Sequence, residues 1–214
     1  MKIYACILLF FLSSFCYSQI MPEEKLVLND TLTFLGIDFS LMKFVNKEEY
    51  LDPFFIRDKH GAYWGGMDDA MVRDRDLKLD FGKKVVISTP LLFDRSYLNL
   101  DSTWIIQSYT GLSQTQMQER VKKYPTIPNS HLGLAFIVDR FEKDGRKSIV
   151  RMYALYIDLN NHTIIKTFDC TSFPGGVGYS QYWGAGITGA FKNFLGQNEA
   201  YTLALKRYFK KWQK

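Results

Sequence analysis

The side chains able to do chemistry are few in this sequence, and most stand apart. Its three histidines, His60, His131 and His162, sit in polar or turn-like settings, and none opens an H-E-x-x-H zinc pair. Gly178-Tyr-Ser180-Gln-Tyr182 begins like the G-x-S-x-G elbow that raises a nucleophilic serine above a sheet, then fails at the last glycine. Asp74, Asp76 and Asp80 are spaced partly like a calcium loop, without its third early oxygen ligand or closing glutamate. A solvated acidic face explains them better. Asp38 and Ser40 end a strand pattern, and with His131 they make the one set that could serve a hydrolase of unfamiliar motif. No cofactor and no metal are expected.

Glycines and aromatics carry more. Gly184-Ala-Gly186-Ile-Thr-Gly189 has the letters G-x-G-x-x-G, but a dinucleotide site needs a strand just before them and an acid about 20 residues beyond. Both are missing, so small residues on a helix packed against a sheet are the better reading. Just upstream, Gly175, Gly176 and Gly178 free the backbone beside Tyr179, Tyr182 and Trp183. Two readings stay open. The segment lines a groove for a sugar, peptide or lipid headgroup, or it is a strand-to-helix turn whose aromatics fall into the core.

The same segment carries a resemblance. Gly175-Gly176-Val177-Gly178 followed by Tyr182-Trp183-Gly184-Ala185 resembles the GGxG…YW signature near the C-terminus of a group of secreted Bacteroidetes proteins. Gly36-Ile-Asp-Phe-Ser40 and a leader ending Ser18-Gln19 fit that group, and Asp30-Thr31-Leu32 resembles the short O-glycosylation sequon of those bacteria. The resemblance implies export and an α/β fold, and implies no activity.

Residues 1–18 read as a signal peptide: Lys2, then an apolar run from Ala5 to Phe15, with Cys16 and Ser18 as small residues before a cut at Gln19. A membrane anchor needs about 20 apolar residues, more than this run supplies. Removing the leader takes Cys6 and Cys16 and leaves Cys170 alone, so no disulfide within the chain is expected. Residues 19–214 have no linker or repeat and read as one globular α/β domain. The expected destination is the periplasm, cell envelope or exterior, where nucleic acid is not a partner.

The net charge of +5 is concentrated at one end: after Asp169, six basic residues face one acid, Glu199. On a helix from Asn198, Tyr201, Leu205, Tyr208, Phe209 and Trp212 share one stripe, and Lys206, Arg207, Lys210, Lys211 and Lys214 take the other side. Such a helix closes the core with its lysines in water, or lies on anionic lipid or an acidic partner.

The scaffold follows from hydrophobic period. Residues 20–30 read as an extended polar lead-in, Thr31 to Val45 as a strand, and Lys84 to Phe93 as an edge strand because of Pro90. Ser113-Gln-Thr-Gln116 matches a capping box for a helix carrying Met117, Val121 and Tyr124. Leu132–Glu142, Ser148–Asp158 and His162–Cys170 read as a C-terminal antiparallel three-strand meander, turning at Asp144-Gly145 and Asn160-Asn161. The middle strand is apolar on both faces, so the sheet must be covered twice. Tyr182 to Leu195 reads as a helix broken at Gly196. The expected architecture is a mixed sheet with helices on both faces. The expected function is non-catalytic binding through residues 175–183 to an envelope component or small ligand, with peripheral membrane contact as the alternative.

Overall fold

A strand apolar on both sides needs two covers, and β6 (Lys147–Asp158) has them: Val150, Met152, Ala154, Leu155 and Ile157 are all fully buried, and Tyr153 is 8% exposed. The computed structural model describes residues 21–46, 83–88, 91, 102–145 and 147–212. The leader, His60, the Asp74–Asp80 run and Pro90 lie outside those residues.

The sheet is mixed and mostly parallel. β1 (Thr31–Asp38) runs parallel to β5 (Leu132–Asp144), from Thr33 beside Gly133 to Asp38 beside Ile137. β2 (Lys43–Val45) continues along the same β5, Lys43 beside Arg140. The expected Thr31–Val45 strand is therefore one line broken by an excursion. Asp38 Oδ1 accepts the Ser40 amide at 2.8 Å, and Met42 N–H reaches back to Phe39 O, which turns the chain out and in again. β3 (Lys84–Ile87) lies parallel along β1, and β4 (Ile105–Ile106) along β2. The expected Lys84–Phe93 strand thus stops early; Ser88 N–H bonds Phe34 O just past its end. β6 pairs antiparallel with β5, and β7 (Thr163–Ser172) with β6.

Two irregularities decide which way the residues beyond them point. Leu32 and Phe34 face one core; at Gly36 (φ +104°) the register slips, and Ile37 and Phe39 then face that same core. The extra residue reverses parity, so Asp38 faces the opposite side. In β5 the slip between Val138 and Arg140 instead turns Phe141 onto the core of Val138, while Asp139 keeps the face of Ala135 and Ile137.

Helices cover both faces. α1 (Glu24–Leu28) replaces the expected extended lead-in, because Leu26 has a core to enter. α2 (Gln114–Val121) starts with the capping box: Ser113 Oγ accepts the Gln116 amide at 3.2 Å, and Gln116 Oε1 accepts the Ser113 amide at 2.9 Å. Met117 and Val121 bury against Leu35, Ala135, Ile137 and Leu155. On the other face, α3 (Tyr179–Trp212) lays Trp183, Ile187, Phe191 and Phe194 over Phe34, Phe136, Phe141 and Phe168.

Two turn expectations need correction. Gly196 does not break α3, which runs on for 34 residues. A mid-helix glycine costs only about 1 kcal/mol, and buried contacts on both sides outweigh it. Asn198 is no cap; it is 1% exposed and accepts the Tyr156 hydroxyl at 2.8 Å. In the β6–β7 turn the left-handed residue is His162 (φ +51°), not Asn160 or Asn161. Those two are held by Asp158, which accepts the Asn160 amide and the Asn161 side chain, each at 3.1 Å.

Candidate functional site

The chain leaves β7 at Ser172 and must reverse into α3 within six residues. Gly176 (φ +115°) and Gly178 (φ +85°) supply the left-handed backbone that this reversal requires. A Cβ on Gly175 or Gly178 would meet nothing within 4 Å, so backbone conformation, not crowding, explains Gly178. Gly178 O then accepts the Tyr182 amide at 2.9 Å, the first bond of the helix. The reversal makes a tip of small residues carrying Phe173, 79% exposed, and Val177, 86% exposed.

The aromatics expected beside those glycines do not all stay with them. Trp183 is 1% exposed and stacks on Phe141, with centroids 5.0 Å apart and planes at 27°. It is a core residue and cannot wall a surface groove. Tyr182 packs partly against the same core, edge-on to Trp183 at 5.2 Å. The Tyr179 side chain lies outside the described residues. What the segment presents to solvent is the tip, residues 173–178. Phe173 and Val177 were not singled out from sequence; an apolar residue on either side of two glycines was the available signal.

The G-x-G-x-x-G letters are contact spacing. A Cβ on Gly186 would stand 2.3 Å from Val150 Cγ2, and one on Gly189 would stand 3.0 Å from Ser172. The Ser172 hydroxyl donates to Gly186 O at the same seam. These glycines let α3 approach the sheet, with the backbone carbonyl satisfied there.

The proposed hydrolytic set does not assemble. Asp38 is buried on the α2 face and its carboxylate is filled: Arg120 Nε donates to it at 2.6 Å, the Tyr124 hydroxyl at 3.0 Å and the Ser40 amide at 2.8 Å. Ser40 Oγ is buried and has no hydrogen-bond partner among the described residues. His131 is exposed at the start of β5, bonded to Asn160 Oδ1 at 3.0 Å. Six residues of strand separate it from the level of Asp38, about 20 Å at 3.3 Å per residue. An ion-paired carboxylate that far from the imidazole cannot serve it as an acid–base partner.

A second charged cluster was missed from sequence. Asp139 accepts the Leu112 amide at 2.8 Å and Arg140 Nη1 at 3.0 Å. Arg140 also bonds Glu142, and its cross-strand neighbour Arg151 bonds Asp169. Burial raises the Asp139 pKa, against the pull of that amide and both arginines. Burial, then the nearby Asp139 charge, pushes the Tyr109 phenol above its usual range. The network fastens the 109–112 loop to the sheet. An acid inside the apolar run Leu132–Val138-Asp139 was the signal that could have found it. Cys170 is buried, and burial pushes its thiol up to about 12.

At the far end of α3, Lys206, Arg207 and Lys210 are exposed; the Lys211 side chain lies outside the described residues. Met21, Glu24, Tyr208 and Phe209 bound an open groove of about 250 Å³. Among the described residues no three His, Cys, Asp or Glu side chains converge on a metal-sized site, and no helix is long and apolar enough to cross a membrane.

Neither a protein-family model nor a curated protein sequence matches the chain. Among solved structures it is similar to lipoprotein GNA1162 from Neisseria meningitidis, at TM-score 0.34 and 11% identity over 77% of this chain and 96% of that one. It is similar to hypothetical protein CT253 from Chlamydia trachomatis, at TM-score 0.37 and 8% identity over 82% and 99%. A neuraminyllactose-binding hemagglutinin homolog from Helicobacter pylori follows, at TM-score 0.28 and 11% identity over 84% and 85%. Likenesses this distant carry no argument about what this chain does.

Proposed function

We propose that this is an exported protein of the bacterial envelope that acts by binding, not by catalysis, through the tip at residues 173–178. The observation that carries the reading is Phe173 and Val177, the two most exposed large apolar side chains among the described residues. They stand on a glycine-built turn, Gly175, Gly176 and Gly178, where among the described residues a Cβ on Gly175 or Gly178 would meet nothing within 4 Å. Apolar side chains held clear of the body on a rigidly anchored turn make a contact surface, and leaving them in water without one is unfavourable. The anchor is strong, since β7 and the first turns of α3 flank the tip on both sides.

The export leader at residues 1–18 supports an envelope, periplasmic or extracellular destination. Binding is preferred over hydrolysis because the Asp38 and Asp139 carboxylates are already engaged by the protein's own donors. The resemblance of the GGxG segment to secreted Bacteroidetes proteins supports the exported destination alone.

The test is a crosslinking pull-down from the native envelope with the wild type and the double variant Phe173→Ser, Val177→Ser. Both positions are solvent-exposed, so the variant is expected to melt where the wild type does. Loss of specific partners from the variant supports the reading. An identical partner list removes the tip from consideration.

A further inference from the structure

The apolar stripe of α3 outruns the sheet beneath it. Tyr201 still meets a strand residue, edge-on to Phe168 at 5.5 Å, and Leu205 reaches the core beside Leu26 of α1. One turn later Tyr208 is 46% exposed, edge-on to Phe209 at 5.3 Å, above the groove shared with Met21. Met21, on the other wall of that groove, is also 46% exposed, so both walls leave apolar side chain in water.

Cations surround them. At 100° per residue Lys206 lies about 60° from Phe209 and Arg207 about 100° from Tyr208, flanking the stripe on either side, with Lys210 behind. Lys83, from the strand edge, lies within electrostatic reach of Lys206. The acids nearby are Glu23, Glu24, Asp30 and Glu199; only Glu199 shares the exposed basic side of α3. An apolar stripe bordered by cations, at the free end of a helix otherwise fixed to a sheet, is the arrangement that sits at a lipid–water boundary.

We infer that this end of the molecule, the last turns of α3 together with Met21, seats on an anionic lipid surface. The aromatic stripe enters the headgroup region, and Lys206, Arg207 and Lys210 meet the phosphates. This surface is separate from the tip and does not depend on it.

The test is sedimentation of the mature exported protein with vesicles of phosphatidylcholine containing about one part in four phosphatidylglycerol, at about 0.1 M salt. Wild type is expected to bind these vesicles and to ignore pure phosphatidylcholine. Each cation removed is expected to weaken binding about fivefold, so Lys206→Gln, Arg207→Gln, Lys210→Gln together cost about 100-fold. Tyr208→Ser, which keeps every cation, is also expected to weaken binding, while Phe173→Ser leaves it unchanged. Equal binding to pure phosphatidylcholine, no binding of wild type to the anionic vesicles, or an unaffected triple variant would overturn the inference. A basic end that serves an acidic protein instead gives the second of those results.

Discussion

The first turns of α3 and its last turns use the same kinds of residue and end in opposite environments. Trp183, Phe191 and Phe194 vanish into the sheet, while Tyr208 remains at the surface. Residue type does not decide this; length does. Thirty-four helical residues span about 51 Å, whereas the twelve residues of β6 span about 40 Å. A helix longer than the strands it covers must leave part of its apolar stripe without a sheet. The two proposed contacts lie where the helix enters and where it leaves, not where its sequence is most aromatic.

Substitutions along α3 test that division. Trp183→Ala should cost about 3–5 kcal/mol in denaturant unfolding, as for other buried large aromatics. A cost below about 1 kcal/mol would place the indole at the surface and reopen the groove reading. Gly186→Ala pushes a methyl into Val150 and should cost about 1–3 kcal/mol. Gly196→Ala, where a Cβ meets nothing within 4 Å, should instead stabilise by about 0.5–1 kcal/mol. Opposite signs for two glycines ten residues apart on one helix would mark which side of it is packed, since Gly186 faces the sheet and Gly196 faces away. Tyr208→Ser should change stability by no more than about 0.5 kcal/mol.

Acid provides a finer test. Burial tends to raise the Asp158 pKa, but bonds from Lys25, the Asn160 amide and Asn161 together prevail and hold it below the usual carboxylate value. A lowered folded-state pKa contributes stability above the unfolded value and loses it as pH falls through the folded one. Lys25 belongs to α1, which lies under the end of α3. Protection of the α1 amides, measured against the intrinsic exchange rate at each pH, should therefore fall at acid pH before that of residues 183–194 does, and Lys25→Met should flatten that dependence.

Much of the scaffold was legible because burial writes a period into the chain. The double apolar pattern of β6 implied two covers, and Ser113 with Gln116 marked the start of α2. Parallel neighbours were not legible, since the side-chain period of β1 is the same whichever strand lies beside it. Nor were the two slips: Gly36 looks like an interruption until its partner strand shows the missing residue, and only then does Asp38 turn toward Arg120. Gly196 misled because local propensity is weak beside the packing of Phe194 and Asn198 on either side. At the candidate site the glycines were legible, and so was the helical spacing of Trp183, Ile187, Phe191 and Phe194, which the structure buries as one stripe. The exposed tip was not, because Phe173 and Val177 belong to no periodic pattern.

The central claim, that contact is made at the tip and not along the body of α3, is tested most directly by site-specific photo-crosslinking in intact cells. One variant carries the photoreactive residue at Val177 and another at Lys192, which is exposed in the middle of the helix. A discrete adduct from position 177 and none from position 192 is the expected result. Adducts of equal yield from both, or from 192 alone, would contradict it.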